Sequence, residues 1–162
     1  MRKSTKKTKV TWPDGTTCTR KVILIPDIET MEIQYRNDRD CAHRLDGGPA
    51  LMKFENGQLI GATWCEDGCL SPTRLQAGLP TEWLYDEFSW EDENKGHHNT
   101  SGPACLSRNG NVFYWTDDEV ISEEVFSDRY MVTHLKEFNL EDGLYDRLYA
   151  EMMTWANIEL NN

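Results

Sequence analysis

Few side chains in this 162-residue chain have the types and spacing that catalysis or metal binding requires. The run Asp117-Asp118-Glu119 could hold a divalent cation, but successive residues of a strand point to opposite faces, so a solvated turn explains it better. The pair His97-His98 has no partners at ligand spacing, and Cys65 and Cys69 are separated by three residues instead of the two of a zinc pair. We expect no metal site and no cofactor.

Nucleophilic catalysis is also disfavoured. No serine or cysteine lies in a nucleophile motif, and no glycine-rich loop suits a phosphate group. His43 and His98 hold equivalent positions in a repeat described below, so a shared structural role is simpler than two active sites. We therefore predict no catalytic residues and a protein that is not an enzyme.

The segment Glu82–Glu93 combines aromatic residues with six acidic and no basic side chains. Two interpretations stay open. In one, the aromatic residues pack in the core and the acidic residues face water. In the other, the segment is a protein-binding edge, where aromatic anchors make contacts and acidic residues steer a basic partner. The second interpretation assigns partner binding to Trp83, Tyr85, Asp86, Glu87, Trp90, Glu91, Asp92 and Glu93.

The charge distribution narrows the classes of partner. There are 17 Lys and Arg against 28 Asp and Glu, so the formal net charge is −11. Nucleic acids and anionic membranes are bound through clustered Lys and Arg, so we expect neither as a direct partner. The chain has no apolar run of about 20 residues, no secretory signal and no disulfide-type cysteine spacing. We expect a cytoplasmic protein with reduced thiols.

An internal repeat organises the elements that would position these residues. The run His43-Arg44-Leu45-Asp46-Gly47-Gly48-Pro49-Ala50 returns in a weaker form between His98 and Ala104. Each copy continues with Asn-Gly, then an apolar-aromatic run that ends in tryptophan, then a second acidic turn. Asn-Gly between two β-prone runs predicts a hairpin, and proline before a run predicts a strand start. Consecutive units of this kind predict an antiparallel β-meander.

This motif, His-Arg-x-Asp-Gly-Pro-Ala followed by Asn-Gly, Trp and a second turn, resembles the MORN-like repeats of uncharacterised phage and bacterial proteins. The resemblance covers roughly residues 31–125, with an extra glycine in the first copy and Asn99-Thr100-Ser101 in place of Arg-x-Asp in the second. The Tyr-x-Gly-x-Trp repeats of true MORN proteins are absent. The resemblance implies a β-meander and intracellular residence, and it implies no reaction.

The predicted fold class is α+β. We expect a basic flexible tail at residues 1–8, a β-meander of MORN-like hairpin repeats at 9–122 with an insertion at 72–97, and a helical cap at 123–162. The cap contains two helices. The first is predicted from the capping run Ser122-Glu123-Glu124. The second is predicted from an apolar stripe of Leu144, Leu148, Met152, Trp155 and Ile158.

Together these features predict a non-enzymatic, acidic protein-binding module. The resemblance to phage proteins implies, as the expected partner, a basic host protein that binds nucleic acid in a defence system. The acidic surface would then act as a nucleic-acid mimic, in the manner of an anti-CRISPR inhibitor. Two alternatives remain. One is a structural or assembly component of a virus, which predicts stable self-association, and the other is a metal-dependent hydrolase.

Overall fold

The structure is a computed structural model of the chain, and it describes residues 2–99, 103–116, 119–121 and 143–162. The chain divides into two compact units. The first comprises Met1–Leu70 and Met152–Asn162, and the second comprises Ser71–Glu151. Both units are built from antiparallel strands and share one long C-terminal helix, so the α+β fold class and the meander are confirmed.

The first unit is an antiparallel meander of five strands followed by a small hairpin. Each of the five strands pairs with the next: β1 Ser4–Thr11, β2 Thr17–Ile25, β3 Thr30–Arg36, β4 Leu51–Glu55 and β5 Gln58–Thr63. Strands β6 Cys65–Glu66 and β7 Cys69–Leu70 form the small hairpin. A short 3-10 turn, Pro26–Ile28, connects β2 to β3.

The expected flexible tail at residues 1–8 is wrong. Strand β1 begins at Ser4 and pairs with β2 along its whole length, from Ser4 opposite Leu24 to Thr11 opposite Thr17. The lysines that suggested a tail are interspersed with threonine and valine, which favour strands, and lysine is a common residue on exposed edge strands. The first predicted hairpin is therefore longer than expected.

Turn chemistry accounts for the hairpins of this unit. In the Pro13-Asp14-Gly15 turn, Asp14 Oδ1 accepts hydrogen bonds from the backbone N–H and the hydroxyl of Thr16. Asn56-Gly57 and Asp67-Gly68 have positive φ at both residues, as a type I′ turn requires. The predicted turns at these three places are confirmed.

The second unit begins with a short helix and continues as strands. Helix α1 is Pro72–Gln76, and the strands are β8 Glu82–Leu84, β9 Glu87–Ser89, β10 Glu91–Asp92, β11 Gly96–His97, β12 Cys105–Ser107, β13 Val112–Thr116 and β14 Glu119–Ile121. Strands β8, β9, β12, β13 and β14 pair antiparallel in that order, and β10 pairs with β11.

Equivalent backbone hydrogen bonds recur in the two copies of the repeat. In each copy, the strand before the histidine bonds to the alanine of Gly-Pro-Ala and receives a bond from the histidine. Tyr35 N donates to Ala50 O in the first copy and Trp90 N donates to Ala104 O in the second, both at 2.8 Å. Likewise, His43 N donates to Tyr35 O at 3.0 Å, and His98 N donates to Trp90 O at 2.9 Å. A third pair is Ala50 N to Thr63 O, 2.9 Å, and Ala104 N to Phe113 O, 2.8 Å.

These bonds correct the predicted insertion at residues 72–97. Strand β9 and Trp90 hold, in the second copy, the place that β3 and Tyr35 hold in the first. The second half of that segment is therefore part of the repeat, not an addition to it. Sequence comparison missed this because the two strands have different residues, Thr30–Arg36 and Glu87–Ser89.

The long helix α2, Leu144–Leu160, confirms the second predicted helix. The helix predicted after Ser122 and the Asp117-Asp118 turn lie outside the described residues. The predicted apolar stripe holds for the first turns but not at the C-terminal end, where Ile158 is 46% exposed and Glu159 is 2% exposed. Among the described residues, none of the helices has the length and apolarity to span a bilayer.

Each unit has its own core. In the first, one face of the sheet packs against the C-terminal turns of α2, with Trp12, Ile33, Phe54 and Ala156 among the buried residues. In the second, aromatic rings from β8, β9 and the N-terminal turns of α2 pack together; the ring contacts join Trp83, Phe88, Tyr145 and Tyr149.

Candidate functional site

The repeat motif in the first copy is organised by one buried arginine. Arg44 donates two hydrogen bonds to the Asp46 carboxylate, 2.6 Å from Nε and 3.1 Å from Nη2. Its guanidinium also lies 4.1 Å from the ring centroid of Tyr35 and 4.7 Å from that of Trp155. Asp46 in turn accepts the backbone N–H of Gly48. The Arg-x-Asp pattern therefore stabilises its own loop.

A buried carboxylate completes this cluster. Glu159 is contacted by Arg20 Nε at 2.7 Å, by the Tyr35 hydroxyl at 2.6 Å and by Arg44 Nη1 at 3.0 Å. Burial and the hydrogen bond to Glu159 raise the pKa of Tyr35 above its usual value, so the phenol stays protonated and donates. Because two arginines balance Glu159 and Asp46, this is a structural network joining helix and sheet.

The second copy preserves one bond of this network with a different residue. Asn99 Nδ2 donates to the Pro103 carbonyl at 2.8 Å, and Arg44 Nη1 donates to the Pro49 carbonyl at 3.2 Å. Asn99 thus replaces the arginine at the equivalent position. The second copy lacks the Arg-x-Asp motif but keeps this hydrogen bond to the proline carbonyl.

A groove of about 600 Å³ opens beside the first copy and is lined by polar residues that include Asp14, Asp38, Asp67 and His43. His43 Nδ1 accepts the backbone N–H of Asp67 at 3.0 Å, so the neutral ring carries its proton on Nε2 and that nitrogen cannot act as a base. Asp67 Oδ1 lies 3.5 Å from the same Nδ1.

Two carboxylates of the groove, those of Asp14 and Asp67, have structural partners. Asp14 is bonded to Thr16, and Asp67 Oδ1 accepts from Asn37 Nδ2 at 3.1 Å and lies 3.4 Å from Arg39 Nη2. Within residues 2–99, 103–116, 119–121 and 143–162, no three His, Cys, Asp or Glu side chains group as metal ligands. His97 packs its ring against Trp115 at a centroid distance of 5.1 Å.

The two tryptophans predicted as partner anchors are core residues. Trp83 is 3% exposed and donates from Nε1 to the Tyr145 hydroxyl at 3.0 Å. Trp90 is 1% exposed and donates from Nε1 to the Gly78 carbonyl at 3.0 Å. The assignment of both as surface anchors is wrong, because both side chains are buried within the second unit.

Several of the predicted partner-binding acids have local structural roles. Asp86 forms an ion pair with Arg108 at 2.9 Å, and Glu87 Oε2 accepts from the Ser107 hydroxyl at 3.4 Å. Asp92 Oδ1 accepts the backbone N–H groups of Asn94 and Lys95, which fixes the β10–β11 turn. Asp86, Glu87 and Asp92 therefore have partners within the chain, and the side chain of Glu93 is exposed.

Glu82 and Glu91 show the electrostatic consequence of crowding acids on this unit. Both are half-buried. Burial raises the pKa of the Glu82 carboxyl, and the charge of Glu91 raises it further. The sequence analysis placed these acids in contact with water, but Glu82 and Glu91 are half-buried, where the loss of hydration disfavours their charged forms.

The exposed part of the predicted surface is the tip of the β8–β9 hairpin. Leu84 is 49% exposed and Tyr85 is 65% exposed. Tyr85 and Asp86 both have positive φ, 44° and 71°, so the turn is of type I′. Bulky side chains rarely adopt this conformation, and it costs of order 1 kcal/mol or more.

Comparison with the other two-residue turns makes this tip unusual. The turns after β4 and β6 use Asn56-Gly57 and Asp67-Gly68, which accept positive φ readily. At the third turn an exposed tyrosine is held in the same backbone state. The sequence analysis assigned Tyr85 to the partner-binding residues together with Trp83 and Trp90, which are buried. The two-residue connection between β8 and β9 was the signal that could have separated Tyr85 from them.

Arg108 bonds to the tip through both its backbone and its side chain. The Arg108 backbone N–H donates to the Asp86 carbonyl at 3.0 Å, and its guanidinium pairs with the Asp86 carboxylate. The same guanidinium lies over the rings of Tyr145 and Tyr149, at 5.7 Å and 4.9 Å from their centroids. A preorganised aromatic at a turn loses little conformational freedom when it binds a partner.

The net charge of the chain is confined to one unit. The first unit has 11 basic and 11 acidic residues and is neutral, whereas the second has 6 basic and 17 acidic residues and carries −11. The strongly acidic character is thus a property of the unit that also carries the exposed hairpin tip.

All five cysteines are free thiols in the structure. Burial raises the pKa of Cys18 to about 11 and that of Cys105 to about 12. Neither is a thiolate near neutral pH, so neither is an activated nucleophile.

Comparison of the chain with protein-family models, with curated proteins and with solved structures finds no match.

Proposed function

We propose that this chain is a non-enzymatic protein-binding module whose acidic second unit occupies the basic surface of a nucleic-acid-binding protein. The observation that carries the proposal is the confinement of all −11 net charge to the second unit. A concentrated negative field accelerates association with a basic surface and competes with phosphate for it.

The hairpin tip supplies the apolar contact that charge alone lacks. Tyrosine is frequent among residues that dominate binding energy, and Tyr85 is 65% exposed on a turn to which Arg108 is bonded. The strain at Tyr85 also supports a binding role, since an Asn-Gly turn would fold at lower cost. Tyr85 therefore replaces Trp83 and Trp90 as the proposed anchor.

The resemblance to MORN-like repeats of phage proteins supports the biological part of the proposal. A phage protein of this kind would inhibit a basic, nucleic-acid-binding effector of host defence in the cytoplasm. The inhibitor would occupy the nucleic-acid-binding groove of the effector and would take no part in a chemical reaction.

The test begins with affinity capture from host lysate and purification of the captured protein. Labelled duplex DNA is then bound to that protein, and its displacement by the chain is measured by fluorescence anisotropy at several salt concentrations. We expect displacement to weaken as salt rises, because exposed charges are screened. Capture of a protein whose DNA is not displaced would contradict the proposal, as would a chain that only associates with itself in light scattering.

A matched pair of variants locates the charge that matters. One neutralises three exposed acids of the second unit, Glu93→Gln, Glu119→Gln and Asp146→Asn; the other neutralises three of the first, Asp27→Asn, Glu29→Gln and Asp38→Asn. We expect the first variant to associate more slowly with the captured protein and the second to associate at the wild-type rate. Equal rates for both variants would contradict the assignment to the second unit.

A further inference from the structure

Positive charge is gathered on one face of strands β1 to β3 in the neutral first unit. The core face of these strands carries Cys18, Ile33 and Tyr35, so alternation places Lys7, Lys9, Lys21 and Arg36 on the opposite face. The register sets these four residues in two neighbouring rows, Lys9–Thr19–Arg36 and Lys7–Lys21–Gln34.

This arrangement is not explained by strand stability. Lys7 lies directly opposite Lys21, and like charges at such positions are destabilising. Lysine on an edge strand protects against aggregation, which accounts for Lys7 and Lys9. Lys21 and Arg36 lie on inner strands of this sheet, where Lys21 pairs with Asp40 and Arg36 Nε donates to Gln34 Oε1 at 3.2 Å.

The face already binds one carboxylate from its own chain. Lys21 Nζ lies 2.5 Å from Asp40 Oδ1, and Arg36 Nη1 donates to the Asp40 carbonyl at 3.4 Å. The hydrogen bond and charge of Lys21, and then the charges of Arg36 and Lys7, lower the pKa of Asp40. Lys7 and Lys9 remain exposed and form no ion pair within the described part of the chain.

Strand β1, which carries Lys7 and Lys9, has an open backbone edge. Among the described strands, β1 pairs only with β2. Trp12 N donates to Thr16 O at 2.8 Å, and this pair continues the β1–β2 register. The bond therefore identifies which residue pairs of the two strands are hydrogen-bonded to each other. Hydrogen-bonded and non-bonded pairs alternate along an antiparallel ladder, so the backbone groups of Thr5, Lys7, Lys9 and Thr11 point away from β2.

We propose that the β1 edge binds an extended acidic peptide, which adds a strand to the sheet and pairs its carboxylates with Lys7 and Lys9. The open backbone groups supply the main-chain hydrogen bonds of strand addition, and the lysines select for acidic residues at alternate positions. This site is independent of the proposed function, because it lies in the other unit and has the opposite charge.

A peptide fits this face better than a nucleic acid. Single strands bind to sheets through aromatic stacking, and the outward positions of β1, β2 and β3 carry no aromatic residue. A peptide backbone also carries donors and acceptors at the spacing of the open N–H and C=O groups, whereas phosphate oxygens can only accept hydrogen bonds.

The probe is a capped, fluorescein-labelled octapeptide of alternating Glu and Thr. Its anisotropy on titration with the chain is compared with that of Lys-Thr and Gln-Thr octapeptides and of a labelled eight-nucleotide DNA strand. We expect saturable binding of the Glu-Thr peptide alone, together with slowed amide exchange at Thr5, Lys7, Lys9 and Thr11. Tighter binding of the DNA strand, or equal binding of the Gln-Thr peptide, would overturn the proposal.

The variant Lys7→Gln with Lys9→Gln tests the charged face, and Lys3→Gln with Lys6→Gln is its control. The control removes the same charge, but Lys6 lies on the other face of β1 and Lys3 precedes the strand. We expect the first variant to weaken peptide binding about tenfold, from two surface ion pairs, and the control to change it little. Equal weakening by both would show general charge attraction and overturn the proposal, provided that both variants keep the wild-type melting temperature.

Discussion

At the scale of single residues, the repeat motif depends on one glycine that has room for no side chain. A Cβ on Gly48 would lie 2.5 to 2.8 Å from the guanidinium atoms of Arg44. That guanidinium is held by Asp46, the Pro49 carbonyl and Glu159, so it cannot move without losing several hydrogen bonds. The glycine is needed for close approach, since its φ is not in the left-handed region.

We therefore expect Gly48→Ala to destabilise the protein by about 1–3 kcal/mol, as overpacking does. At a position with ordinary φ and open space, the same substitution would instead stabilise by about 0.4–1 kcal/mol, because it restricts the unfolded chain. Urea unfolding at neutral pH distinguishes the two outcomes by sign. An increase in the free energy of unfolding would show that Arg44 yields easily.

The raised pKa of Glu82 determines the direction in which this residue makes the stability of the protein depend on pH. Burial, and then the charge of Glu91, raise its pKa in the folded state above the ordinary value of 4.5. A raised carboxyl pKa means that folding is favoured by the protonated form. The contribution is present below the unfolded pKa and is lost as pH rises through the folded pKa.

We expect Glu82→Gln to be more stable than the wild type at pH 7, with a difference that shrinks as the pH falls through the raised folded pKa toward 4.5 and is absent below it. Urea midpoints measured from pH 3.5 to pH 7.5 test this. The control is Glu119→Gln, which removes an exposed carboxylate of the same unit. A Glu82→Gln variant that loses stability at pH 7 would show that the charged form makes favourable contacts.

At the scale of elements, local turn chemistry determines most of the first unit, which is why the sequence predicted it well. Asn56-Gly57 and Asp67-Gly68 specify type I′ turns without help from distant residues. The strands between them follow once the turns fix the register.

Long-range pairing is what the sequence did not reveal. Glu159 is buried because Arg20 and Tyr35 bind it across 139 and 124 residues of chain, and no local pattern indicates such partners. Trp90 is buried because it holds the place of Tyr35, an equivalence visible only in backbone bonding. The proposed surface accordingly contracts from eight residues to the exposed tip and its neighbours.

The β8–β9 hairpin provides an element-scale prediction. We expect Tyr85→Asn to stabilise the protein by about 1 kcal/mol, because asparagine accepts positive φ at lower cost than tyrosine. The nearby Leu84→Gln is the control, since it removes an exposed apolar side chain from a strand position without positive φ. Thermal melting compares the two, and a destabilised Tyr85→Asn would show that the tyrosine ring makes stabilising contacts within the fold.

At the scale of the whole molecule, the uneven distribution of charge affects stability as well as binding. The second unit has 17 acidic and 6 basic residues, whereas the first is balanced at 11 and 11. Like charges in one compact unit repel one another, and unfolding relieves the repulsion by separating them. The buried pairs of the first unit, such as Arg20 with Glu159, are screened little by salt.

We therefore expect the melting temperature to rise as sodium chloride increases from about 20 mM to about 500 mM, because screening at these concentrations weakens repulsion between exposed charges. The variant with Glu93→Gln, Glu119→Gln and Asp146→Asn should show a smaller rise, and the variant with Asp27→Asn, Glu29→Gln and Asp38→Asn should match the wild type. Calorimetric scans at fixed pH measure the three slopes. A melting temperature that falls with salt would mean that exposed ion pairs, such as Arg108 with Asp86, outweigh the repulsion. In that case, ion pairs within the second unit would neutralise part of its negative charge, and less of that charge would be available to a basic partner.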